Sequence, residues 1–182
     1  MLVGCASSPP SRFYLLSPLQ NENEVQPSAG VPCITIGIGP LKLPEYTNRP
    51  QIVTRTSQNE LSRAQFDLWA EPLSNTFSRV IAENLTRLLC TESVHLFPWM
   101  ASIKPDYIVR AEVMEISGDL DTTAYLQVQW TIWGAAERKE LVRKRSNYSE
   151  RVQDPTYHSL VQAYSIMVGQ LSREIAEAIE GL

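Results

Sequence analysis

Between residues 106 and 148 the chain adopts a period of two. Leu126, Val128, Trp130 and Ile132 alternate with Gln127, Gln129 and Thr131, so one face of this segment is apolar and the other polar, as in a half-buried antiparallel strand. A second run, Asp106 to Ile116, precedes it across Ser117-Gly118-Asp119-Leu120-Asp121, a stretch rich in turn formers. Glu140 to Tyr148 follows, and its Arg143, Lys144 and Arg145 suit an exposed edge that must not pair with other chains. A meander of this kind has one apolar face, and the rest of the chain must cover it.

Two helices are predicted to do so. Pro72 is placed at the first position of one, where a missing N–H costs nothing. Leu73, Phe77, Val80, Ile81, Asn84, Leu85 and Leu88 then recur at three- and four-residue spacing. Asp154-Pro155 opens the last helix, Asp as cap and Pro in the first turn. Its stripe is Leu160, Tyr164, Met167, Val168, Leu171, Ile175 and Ile179, and Gly181 stops it.

The N-terminal half reads as short strands. Arg12 to Ser17 and Pro32 to Gly39 are extended, the latter with strictly alternating isoleucines, and residues 18–31 form a loop. Gln51 to Thr56, close behind Pro40, Pro44 and Pro50, fits an edge strand or protruding loop. Val94 to Phe97 adds a short strand. The fold class expected is α+β: a two-layer sandwich with an antiparallel sheet and two long helices on one face. Residues 12–182 are expected to form a single domain, and residues 1–11 a processing site and tether.

That tether reading comes from Leu2-Val3-Gly4-Cys5 and the Ala6-Ser7-Ser8-Pro9-Pro10 that follows. Two apolar residues, a small one, a cysteine and a solvated linker are how a bacterial lipoprotein reads at its processing site. Cys5 is the residue that would be acylated, and a multiply acylated cysteine meets the need for more than one hydrophobic anchor. Four residues precede it, fewer than the ~7–15 of an apolar signal core. No window approaches the ~18 consecutive apolar residues of a membrane span, so membrane contact is expected through the N-terminus. A net charge of −4 argues against a nucleic-acid partner.

The other cysteines are Cys33 and Cys90. An oxidising compartment would permit a bridge. Pattern argues for two buried or half-buried thiols instead, because Ile34, Ile36 and Ile38 turn Cys33 to the other strand face and Cys90 falls opposite Ile81 on the predicted helix.

Catalytic sets are not legible. His95 and His158 lack metal-ligand partners at useful spacing, and Cys90 with His95 supplies two ligands where a tetrahedral site needs four. Gly37-Ile38-Gly39 follows a strand as a dinucleotide loop would, but Pro40 comes next and no helix opens there. No Gly-x-Ser-x-Gly elbow is present. Asp119 and Asp121 sit in a predicted turn, where Asp bonds its own backbone. The basic run Arg138 to Arg151 reads as a solvated hairpin before it reads as a headgroup-binding patch. No enzyme activity, metal or cofactor is expected.

The unusual stretch is residues 39–73. It combines rigid prolines with Tyr46, Arg49, Arg55, Phe66 and Trp69. Tyr, Trp and Arg dominate interface hot spots, and pre-set prolines reduce the ordering cost of docking. Pro44, Tyr46, Arg49, Arg55, Trp69 and Glu71 are the expected partner or oligomer interface. Phe66 and Trp69 could equally cap the core beside the first helix.

These residues carry a family resemblance. Leu2-Val3-Gly4-Cys5, Phe13-Tyr14-Leu15-Leu16, Gly39-Pro40 and Leu43-Pro44-Glu45-Tyr46 resemble the ABC-type transport auxiliary lipoproteins typified by paraquat-inducible protein C. So do Arg49-Pro50-Gln51-Ile52-Val53-Thr54-Arg55 and Trp69-Ala70-Glu71-Pro72-Leu73, and the likeness covers nearly the whole chain. The resemblance implies a periplasm-facing lipoprotein without catalytic residues. It would act with MCE-domain proteins that move lipid between the membranes, and as a homo-oligomer. Ala6 rather than Asp after the cysteine implies, by similarity to other sorted lipoproteins, the outer membrane. The alternative is a monomeric lipid carrier whose sheet and helices enclose an acyl chain.

Overall fold

A computed structural model describes residues 9–20 and 33–182. The proposed acylation site, Cys5, lies outside the described residues. Among the described residues, eight strands and two long helices are arranged as two sheets and a helical layer. The strands are β1 (Arg12–Tyr14), β2 (Ile34–Lys42), β3 (Gln51–Ser57), β4 (Glu60–Trp69), β5 (Thr91–Leu96), β6 (Tyr107–Gly118), β7 (Thr123–Gly134) and β8 (Lys139–Arg151). The helices are α1 (Leu73–Leu88) and α2 (Tyr157–Glu180).

The α+β class agrees with the sequence reading, but the sheets are mixed where alternation predicted an antiparallel one. The larger sheet runs β5-β2-β6-β7-β8. Its β6-β7-β8 half is the expected antiparallel meander, whereas β2 pairs parallel with both β5 and β6. Parallel neighbours need crossovers, and α1 lies on the chain between β2 and β5. The smaller sheet, β1-β4-β3, joins β1 parallel and β3 antiparallel to β4. β3 is an edge strand, as its prolines predicted. β4 is an addition: its first residues, Glu60–Arg63, are exposed, and the alternation of Ala64, Phe66 and Leu68 is too short to mark a strand.

Alternation on β7 buries Leu126, Val128, Trp130 and Ile132, each at 1% exposure or less. The Trp130 Nε1–H donates to Ser146 Oγ at 3.0 Å, which satisfies the one polar atom of the largest core side chain. The two helices pack on each other and on the same sheet, α1 over β2 and β5 and α2 over β7 and β8. Every predicted stripe residue of α2 is buried, as are those of α1 except Leu88, which is half-buried.

Helix starts fall slightly later than predicted. Pro72 is the cap of α1 rather than its first residue, its carbonyl accepting from Asn75 N at 2.9 Å. At α2 the cap is Thr156, not Asp154, since the Thr156 Oγ1 accepts from the Ser159 N–H at 3.2 Å.

Between β1 and residue 20 the chain forms a strap over the helices. The Leu19 N–H donates to Asn84 Oδ1 of α1 at 2.8 Å, and the Ser17 N–H to Ser165 Oγ of α2 at 3.1 Å. Asn84 Nδ2 in turn donates to Ser172 Oγ at 3.0 Å, both residues fully buried. β1 is fixed to β4 by Asp67, a buried carboxylate that accepts from Tyr14 Oη at 2.7 Å and pairs with Arg12 Nε at 2.8 Å.

Cys33 and Cys90 are disulfide-bonded, with Cα atoms 4.9 Å apart. This corrects the expectation of two thiols. The helix ends at Leu88, before Cys90, so the helical face assigned to Cys90 does not exist. Both cysteines stand at the starts of the parallel neighbours β2 and β5, and Ile34 N donates to Cys90 O at 3.1 Å.

Candidate functional site

Residues 42–50 leave the end of β2 as a short extended piece and one 3-10 turn, Glu45–Thr47. Pro44 supplies the carbonyl that holds this turn, accepting from Thr47 N at 2.9 Å and from Thr47 Oγ1 at 2.7 Å. Opposite lies the β4-to-α1 corner, Trp69 to Ser74, closed against the first segment by Trp69 N donating to Pro50 O at 2.7 Å. β6 contributes Glu112 to Met114. These pieces enclose a surface cleft of about 1060 Å³.

Of the six predicted interface residues, Pro44, Arg49, Trp69 and Glu71 line this cleft. Trp69 is 6% exposed and so forms its floor as core, in keeping with the capping role weighed for it. Glu71 pairs with Arg79 of α1 at 2.8 Å. Arg49 is half-buried, and its Nε is out of solvent without a hydrogen-bond acceptor among the described residues. Buried donors normally find an acceptor. Lys42, Glu45 and Glu112 complete a lining of mixed charge.

Tyr46 and Arg55 are not brought into the cleft. Tyr46 turns to β6, donating from Oη to Ile116 O at 3.0 Å and accepting from Ile116 N at 3.2 Å. Burial raises its phenol pKa. Arg55 pairs with Glu115 at 3.2 Å and bonds Gln58 O at 2.9 Å, tying the small sheet to β6. Both residues brace the two sheets. Val113 and Met114, remote in sequence, line the cleft where the β6–β7 register shifts. No pattern in the sequence marks that bulge.

The other sequence candidates resolve into structure. Gly37 and Gly39 make room for aromatic side chains: a Cβ on Gly37 would meet Trp99, and one on Gly39, which has φ +118°, would meet Phe97. Asp119 Oδ1 accepts from Asp121 N at 3.0 Å, the local bond expected of a turn. The basic run lies on the edge strand β8, where Arg143 pairs with Glu140 and Lys144 with Glu174. His95 Nε2 and Ser93 Oγ lie 2.9 Å apart as neighbours on β5, away from the cleft. Among the described residues no three His, Cys, Asp or Glu side chains gather as a metal site. No described helix is long and apolar enough to cross a membrane.

An internal acyl cavity is not favoured by the space at the junction of the sheets and helices. The void bounded by Gln51, Val53, Trp69, Leu73, Ile116 and Tyr164 is about 10 Å³, room for one water at most.

Two mixed sheets and a helical pair make an α+β scaffold with a pre-formed cleft between the end of β2, β6 and the β4-to-α1 corner. The chain belongs to the family of ABC-type transport auxiliary lipoprotein components, which it matches over residues 14–176. Solved structures share the fold. An uncharacterized protein superposes with TM-score 0.74 at 16% identity, covering 94% of this chain and 99% of its own. Protein XCC0632 from Xanthomonas campestris gives 0.70 at 12%, covering 91% and 92%. The PelC dodecamer from Paraburkholderia phytofirmans gives 0.52 at 9%, covering 82% and 93%. No curated protein sequence matches the chain.

Proposed function

We propose that this chain is a non-enzymatic, periplasm-facing lipoprotein, an auxiliary component of an MCE/ABC-type intermembrane lipid-transport system. It is held at the periplasmic face of the bacterial outer membrane through acylated Cys5 and works as a homo-oligomer. Residues 1–11 are the processing site and tether, and residues 12–182 the working domain. The observation that carries this reading is the family match across residues 14–176, which begins just beyond the tether.

The cleft is the docking site in this account. Its walls are set by prolines and short backbone bonds, so a partner segment meets a pre-formed surface and little ordering entropy is lost. Arg49 offers a directional donor beside an apolar floor, the combination that concentrates binding energy at interfaces. PelC, a dodecamer built on the same fold, supports self-assembly as something this architecture accommodates.

The test is the mass of the protein made with its native signal, both intact and as a native assembly. Acylated Cys5 and a multiple of the protomer mass are expected. Arg49→Glu should weaken self-association or partner retention about tenfold or more, roughly 1.4 kcal/mol, with the fold unchanged. An unmodified Cys5 in a monomer would refute the anchoring and assembly together.

A further inference from the structure

One strip of surface is apolar without serving the core. Tyr14 turns inward to Asp67 and Leu16 is buried, so Phe13 and Leu15 turn outward and are 63% and 44% exposed. A half-buried strand ordinarily carries polar side chains on its wet face, yet this segment is apolar on both. On α2 the outward positions include His158, Gln162, Glu177 and Glu180, and Ile166 is the exception at 42% exposure. Phe13, Leu15 and Ile166 line one groove of about 610 Å³ with Leu19 and Val161. Single exposed apolar residues need no explanation, but a contiguous patch does.

We infer that this groove is the face the domain lays against the lipid bilayer, its occupant being phospholipid at the membrane surface. The inference rests on the proposed anchoring at Cys5. Phe13 follows Cys5 by eight residues, so even a fully extended chain keeps it within about 29 Å of the anchor. A tether that short holds the groove at high effective concentration of membrane, and a contact too weak to retain a free protein suffices for an anchored one. Phe, Leu and Ile are side chains that enter the headgroup–acyl boundary. Among the described residues no carboxylate lines the groove, and His158 and Arg173 are among its lining residues. The cleft at residues 42–50 is of mixed charge, with Glu45, Glu71 and Glu112 beside Lys42 and Arg49. Contact with anionic headgroups therefore suits the groove, which has no carboxylate to repel them, better than the cleft.

Cys33 and Cys90 are joined, which leaves Cys5 as the thiol for coupling. The full chain is attached through Cys5 to a maleimide-headgroup lipid in vesicles of phosphatidylethanolamine and phosphatidylglycerol at about 3:1. Its hydrogen exchange is compared with that of the same chain free in solution. Chemical coupling supplies the tether, so the result does not depend on acylation in the cell, which the intact mass decides separately. Exchange in peptides covering residues 12–20 and 158–166 should slow about threefold or more, with residues 42–50 unchanged. The pair Phe13→Ser and Ile166→Ser, with an unaltered circular dichroism spectrum, should abolish the slowing. If the pair does not fold, the wild-type comparison decides alone. Unchanged exchange on vesicles would overturn the inference. Slowing that needs no vesicles and grows with protein concentration would overturn it too, because the occupant is then a second copy.

Discussion

The indole of Trp99 lies against Gly37 so closely that an ideal Cβ on the glycine would fall 2.7 Å from Cη2. Pro105 Cγ would be 3.0 Å away on the same side. Ile36 and Ile38 point into the core, so Gly37 faces outward and the chain between β5 and β6 crosses over it. Neither an indole nor a proline ring yields easily. Gly37→Val should cost about 1–3 kcal/mol through overpacking, seen as a lower midpoint in urea with little change in slope. An unchanged midpoint would show that the crossover segment does not depend on this seat.

Asn84 joins the strap to both helices, and it is fully buried. Asn84→Ala leaves the Leu19 N–H without its acceptor, a loss of about 1–3 kcal/mol. Hydrogen exchange at Leu19 should rise more than global unfolding accounts for. Equal changes throughout would contradict a local role.

Burial raises the Tyr148 phenol pKa, and its hydrogen bond to Glu174 raises it further. Burial alone would raise Glu174, but bonds from Tyr148 and Ser146 and the charge of Lys144 hold it below its ordinary 4.5. The carboxylate's contribution is therefore present above its unfolded pKa and lost as pH falls through the lower folded value. The phenol's is present below its unfolded value of 10.0 and lost as pH rises beyond it. Stability should be flat between those limits and fall on both sides. Tyr148→Phe should blunt both flanks relative to wild type in denaturation series across pH.

The Cys33–Cys90 bridge spans 57 residues. In the chain-entropy view a closed loop of that size stabilises by roughly 4 kcal/mol. A Cys33→Ser, Cys90→Ser double variant should lose about 2–4 kcal/mol. An unchanged denaturation midpoint would show that the bridge is not formed in the protein.

Legibility in the sequence followed the length of the pattern. The β6-β7-β8 meander and both helical stripes repeat a period over many residues, and they stand where predicted. β2 is as regular as they are, but its period does not encode whether its partners run parallel, so the mixed sheet was hidden. β4 opens with the exposed Glu60–Arg63, and the alternation of Ala64, Phe66 and Leu68 that follows is short and out of phase with the buried Asp67 and Trp69. The cysteine pairing is not legible because α1 stops at Leu88, two residues before Cys90, a stop that the helical periodicity does not mark. Within residues 39–73, residue type does not fix orientation. Arg49 and Arg55 are alike in type, and only the packing of β3 on β6 turns Arg55 to Glu115.

The role we propose for the chain is to serve a transport assembly through its cleft. It is tested most directly by isolating the tagged, full-length protein from cell envelopes and quantifying the MCE-domain proteins retained with it. Such a protein is expected in the wild-type isolate, and at least about tenfold less of it with Arg49→Glu at equal anchoring. Absence of any MCE-domain protein from the wild-type isolate, or retention unaffected by Arg49→Glu, would contradict it.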